Sequence, residues 1–92
     1  MIVKISDYGK ADNQNYIKYN VTNISDTHIN YLIDNLDEEM SVEDDTLTIT
    51  MYFDDDLYPF QSDVAKIRLD DFIAREEIEM NVFLSSFLED MQ

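Results

Sequence analysis

Apolar and polar positions alternate with a period of two in several stretches of this chain and with a helical period in two others. The clearest strand is residues 46–53, where Leu47, Ile49, Met51 and Phe53 alternate with Thr48, Thr50 and Tyr52 as a half-buried strand requires. Residues 1–6 combine β-branched side chains with alternation. Residues 16–22 place Ile17, Tyr19 and Val21 on one face and Tyr16, Lys18 and Asn20 on the other. Between these two, residues 7–15 form a polar segment holding the chain's single Gly, so a turn over 7–15 and a hairpin around it are expected.

Helical spacing begins after Ser25, a good N-cap followed by Asp26, whose charge suits a helix N-terminus. Ile29, Leu32, Ile33, Leu36 and Met40 then recur at i, i+3, i+4, i+7 and i+11, which predicts an amphipathic helix running to about Met40 with Asp34, Asp37 and Glu38 on its solvated side. Carboxylates at such a C-terminal end oppose the helix dipole, at a cost of ~0.3–1 kcal/mol each. Residues 54–62 (DDDLYPFQS) are expected to be a loop around Pro59, with Leu57, Tyr58 and Phe60 either folding back or forming an apolar contact point. Residues 63–69 are either a last strand or the start of a helix, and the alternation of Ala65, Ile67 and Leu69 with Lys66 and Arg68 favours the strand. From Asp70 or Asp71 as N-cap, a helix is predicted to about Asp90. Phe72, Ile73, Met80, Phe83, Leu84, Phe87, Leu88 and Met91 cover a wide face that includes Glu76, while Ile78 and Val82 lie opposite. That is too much apolar surface for one core. Either the helix breaks near residues 75–77 or its last part is buried on two sides, the second burial being a homodimer contact.

The expected architecture is therefore α+β, one domain over residues 1–92, with an antiparallel sheet of three to four strands packed against two helices. Leu, Ile, Val and Phe supply 27 of 92 residues, well above the level at which a highly charged chain stays disordered. A domain this small buries only about two-thirds of its unfolded surface, so dimerisation helps it. The absence of Cys excludes a disulfide framework and thiolate metal sites and suits a reducing compartment. No secretory signal or membrane span is legible, and a soluble intracellular protein is expected. The triplets at Asn20 and Asn23 match the glycosylation pattern but, without a signal, are read as turn residues.

Charge changes the picture most. The net charge is −15. Residues 1–18 and 66–75 each sum to +1, whereas residues 19–65 hold twelve acids and no Lys or Arg, and residues 76–92 add five acids. The densest part, residues 37–56, carries nine carboxylates in three clusters: Asp37, Glu38 and Glu39; Glu43, Asp44 and Asp45; and Asp54, Asp55 and Asp56.

Catalytic templates find little to stand on. The lone His28 falls in a helical first turn, and there is no Gly-rich phosphate loop and no nucleophile elbow. Carboxylate pairs are abundant by chance, with too little scaffold for a sugar cleft. A calcium loop starting at Asp54 fails at its defining positions, with Pro59 where Gly is needed and Ala65 in place of the bidentate Glu. We therefore expect no enzyme, no metal and no cofactor. Fifteen net charges on a sphere ~32 Å across is about one per ~2 Å, close to the one per ~1.7 Å of duplex DNA. Such a surface fits a basic, DNA-binding partner better than mere solubility.

From MIVKISDYGK to FLSSFLEDMQ the chain resembles the phage anti-restriction DNA mimics of the Arn type, a likeness of charge layout and whole-chain pattern with no short motif behind it. The resemblance implies a homodimer that copies the shape and charge of duplex DNA. It implies inhibition of the McrBC restriction endonuclease in the host bacterial cytoplasm, with no direct nucleic-acid or membrane binding. On that reading Asp34, Asp37, Glu38, Glu39, Glu43, Asp44, Asp45, Asp54, Asp55, Asp56, Glu76, Glu77 and Glu79 stand in for phosphates, and Ile78, Val82, Phe83, Phe87 and Met91 form the dimer contact. The alternative is an acidic adaptor or chaperone that shields a basic, histone-like protein without copying DNA geometry.

Overall fold

Alternation in the first 22 residues does produce a hairpin, with longer arms than the pattern predicts: β1 (Ile2–Ala11) and β2 (Gln14–Thr22). The computed structural model describes residues 1–11, 14–53 and 63–90. After β2 come α1 (Asp26–Asn35), β3 (Glu39–Glu43), β4 (Thr46–Phe53) and α2 (Asp63–Glu89). The strands make one antiparallel sheet in the order β1-β2-β4-β3. The fold is α+β, as expected.

One face of the sheet is the core. Val3 of β1, Ile17, Tyr19 and Val21 of β2, and Leu47 and Ile49 of β4 are buried there with Ile29 and Leu32 of α1 and Met80 and Leu84 of α2. Each fully buried aliphatic side chain in such a cluster is worth ~1.5–3 kcal/mol of transfer free energy. The other face carries Lys4, Asn20, Thr48 and Ser41 in one cross-strand row and Asp7, Lys18, Thr50 and Glu39 in the next. Thr50, expected to face solvent, is buried; it lies on β4 between β2 and β3.

Other expectations are corrected. The predicted turn over residues 7–15 is mostly strand: cross-strand pairs run out to Ala11↔Gln14, with a register shift between Ile5 and Asp7. That shift absorbs the extra residue and keeps Tyr8 opposite Ile17 on the core side. The first helix stops at Asn35 instead of reaching Met40. Leu36 takes extended backbone angles while its N–H still donates to the Leu32 carbonyl, and Ile33, counted in the apolar stripe, is 45% exposed. Met40 belongs to β3, opposite Ile49, so Asp37, Glu38 and Glu39 do not sit on a helix end. Residues 63–69 are the first two turns of α2 and not a strand. Five alternating positions are too short a pattern to outweigh a run without Gly or Pro, rich in the helix formers Ala, Lys, Arg and Leu. The N-cap at Asp70 or Asp71 is thereby overturned, since both lie inside α2, and the helix does not break at residues 75–77. The other start was read correctly: the Ser25 hydroxyl accepts from the His28 N–H, 3.2 Å.

Two α2 side chains cover the free margin of β1. The Ile5 N–H donates to Glu77 Oε2 at 2.7 Å, and Asn81 Nδ2 donates to the Met1 carbonyl at 3.3 Å. Both contacts are four residues apart on strand and helix alike, so α2 runs antiparallel to β1 and occupies backbone groups that an edge strand otherwise exposes. Among the described residues no helix is long and apolar enough to cross a membrane. The molecule is elongated, 44 × 26 × 25 Å.

Candidate functional site

The acids of residues 34–45 are all exposed along one consecutive segment of the chain. Asp34 lies in the last turn of α1, Asp37 and Glu38 in the connector, Glu39 and Glu43 on β3, and Asp44 and Asp45 in the turn to β4; all seven are exposed. What holds them is apolar. Met40 packs against the core opposite Ile49, which pins β3, and Val42 pairs with Leu47 on the same face, while Glu39, Ser41 and Glu43 point to the other face. Glu39 and Glu43 are then ~13 Å apart along the strand. Among the described residues Glu39 alone of the seven takes a side-chain hydrogen bond, from the Tyr52 hydroxyl at 3.2 Å.

Asp44 and Asp45 both have positive φ, 49° and 63°. Two such residues between paired strands make a type I′ turn, where Asn-Gly or Asp-Gly is favoured because the left-handed region is costly for other residues. This turn was the missed signal for β3. An Asp-Asp pair between the apolar alternations of residues 40–42 and 47–53 marks a hairpin, and the helical reading of Met40 hid it.

The second acidic block behaves differently. Glu76 and Glu77 are only half-exposed and are engaged within the fold. Glu77 accepts from β1, and Glu76 accepts from the Tyr19 hydroxyl at 3.4 Å beside Met51, Met80 and Phe83. Burial raises the Glu76 carboxyl above its ordinary range, with Glu79 adding repulsion, against the lowering effects of the Tyr19 hydrogen bond and Arg75. Tyr19 in turn is pushed well up, first by burial and then by the charge of Glu76. Glu79 is exposed on the same helix. Glu77 sits at the β1 margin, with β2 and β4 between it and β3, about three strand spacings or ~14 Å away. The sheet therefore separates Glu77 from the β3 acids, while Glu76 and Glu79 lie beside Tyr19 and Met51 of the two central strands. Asp54, Asp55 and Asp56 lie outside the described residues, as does the expected loop with Leu57, Tyr58 and Phe60. Among the described residues no group of three or more His, Asp or Glu is placed to hold a metal ion.

Of the residues expected at a dimer contact, Ile78 is 65% exposed, Val82 60% and Phe83 45%. Phe87 is half-buried, edge-on to Tyr31 with ring centroids 5.7 Å apart and 6.0 Å from Phe83. Met91 lies outside the described residues. The unbroken α2 thus turns one side to the core and leaves apolar residues on another.

A family of unknown function (DUF5750) has a sequence model that matches residues 2–90, and the chain belongs to that family. No curated protein matches it.

Proposed function

We propose that this member of a family of unknown function is a DNA mimic. In this reading it occupies the DNA-binding site of a host restriction endonuclease of the McrBC type in the bacterial cytoplasm, and so protects phage DNA. The observation that carries the reading is the run of seven exposed carboxylates, Asp34 to Asp45, with no Lys or Arg among them, mounted on an edge strand and a tight turn. Asp54, Asp55, Asp56 and Glu79 add their charge in the proposal; Glu76 and Glu77 contribute field rather than free ligands, because each is already hydrogen-bonded within the fold. The action is binding, one inhibitor to one site, with neither catalysis nor cofactor.

Charge density favours a two-copy assembly. Fifteen net charges along 44 Å is one per ~3 Å, short of the one per ~1.7 Å of duplex DNA. Two copies side by side reach about one per ~1.5 Å. The proposed inhibitor is accordingly a homodimer, joined through Ile78, Val82 and Phe83 with Phe87 and Met91 beside them. Exposed apolar residues mark such contacts; Ile78 and Val82 lie one turn apart on one face of α2, and Phe83 turns toward the face of Phe87.

The test is capture of the purified endonuclease on immobilised protein, challenged with duplex DNA. Release of the endonuclease by DNA is expected. Retention in excess DNA would favour the second class of function, an acidic adaptor or chaperone for a basic protein, which the low charge density of a single copy also fits.

A further inference from the structure

The strand order leaves β1 and β3 at the margins of the sheet. The β1 margin is occupied by Glu77 and Asn81 of α2; among the described residues nothing pairs with the outer margin of β3. The turn determines which backbone groups that margin presents. In a two-residue type I′ hairpin the closing pair, here Glu43 and Thr46, exchanges both backbone hydrogen bonds. Pairs then alternate, so Ser41–Thr48 and Glu39–Thr50 are also bonded, while Met40 and Val42 direct their N–H and C=O away from β4. Val42 is 46% exposed on the core-side face, and Glu39 and Glu43 flank it on the other.

A second copy does not fit this edge. Antiparallel pairing of β3 with itself sets Glu39 opposite Glu43 twice, and like charges directly opposite are destabilising. The same two carboxylates attract a cationic strand.

We infer that the β3 edge accepts an extended basic segment of the target as a fifth strand. Its backbone bonds to Met40 and Val42, its Lys or Arg residues lie beside Glu39 and Glu43 ~13 Å apart, and its alternate, apolar residues lie against Val42. The inference rests on the DNA-mimic reading only for the cationic character of the target. Backbone pairing is an interaction that DNA itself cannot make.

Two heptapeptides of the same composition, four Lys and three Val, test it: one alternating, one with the residues in blocks. The alternating peptide is expected to bind about tenfold or more tighter at moderate salt, and to slow amide hydrogen exchange at Met40 and Val42 without changing Ser41 or Glu43. Equal affinities with unchanged exchange at Met40 and Val42 overturn the inference. Val42→Pro deletes an outward N–H and keeps every charge, a change that edge strands tolerate; it is expected to lower affinity for the alternating peptide by a similar factor. Should that variant fail to fold, the exchange measurement on the unaltered protein decides. Displacement of DNA from the endonuclease separates the two ideas. Full displacement by folded Val42→Pro, with loss on reversing the acids, overturns strand addition and leaves mimicry standing.

Discussion

Asp45 illustrates how single residues here depart from what stability alone favours. At φ 63° it occupies a position where Gly is free of strain, and its neighbours Glu43 and Asp44 repel it. Asp45→Gly is expected to stabilise the fold by ~1 kcal/mol, raising the unfolding midpoint by about 4–8 °C, while weakening binding to a basic partner. A lower midpoint in a thermal melt would show that the turn depends on the Asp side chain. Glu76 departs in another way. Its carboxyl is raised above its ordinary value, chiefly by burial, so the folded state holds that proton more tightly than the unfolded chain. Its contribution to stability therefore falls as pH rises from 4.5 through the raised folded value. Glu76→Gln, which keeps an acceptor for the Tyr19 hydroxyl, is expected to raise the melting midpoint at neutral pH and to match the parent below pH ~4. A gain of equal size at both pH values would contradict burial of the charge as its origin. Neither feature was legible residue by residue. The wide-face position of Glu76 was visible in the helical spacing, but the Tyr19 partner, 57 positions away, was not.

Elements were legible where a pattern ran long and ambiguous where it ran short. β2 and β4 followed their alternation, and α1 began at its Ser25 cap. The end of α1 was misread because Leu36 and Met40 continue a helical spacing by coincidence, while β3 is too brief to declare a period of its own. The start of α2 was misread for the mirror reason, a short alternation inside a long helix. The excess of apolar residues on α2 was legible, and the structure divides them. Leu84 is fully buried, and Leu84→Ala should cost ~2–5 kcal/mol in denaturant unfolding. Ile78→Ser with Val82→Ser removes apolar groups that face outward; in the proposed dimer this pair shifts sedimentation to the monomer with little loss of protomer stability. A dimer that persists would place its contact elsewhere.

At the scale of the molecule, charge acts with opposite signs on folding and on binding. Fifteen net negative charges repel one another within 44 × 26 × 25 Å, and added salt shortens the reach of that repulsion to about 8–10 Å. Thermal stability is therefore expected to rise with salt while inhibition of a DNA-binding target falls steeply; two trends of the same sign would count against an electrostatic contact. The sequence showed the amount of charge and its segregation along the chain. It did not show elongation, which lowers the density of one copy below that of DNA, nor that Glu76 and Glu77 are held by hydrogen bonds within the fold while the acids of residues 34–45 are exposed. The most direct test of mimicry is displacement of labelled duplex DNA from a McrBC-type endonuclease by the parent protein and by Glu43→Lys/Asp44→Lys/Asp45→Lys, beside a control with three changes at exposed neutral residues, Thr27, Asn30 and Ser86. Mimicry predicts that the parent and the control displace DNA alike and that the triple reversal loses at least about tenfold in potency; equal potency of all three proteins would contradict it.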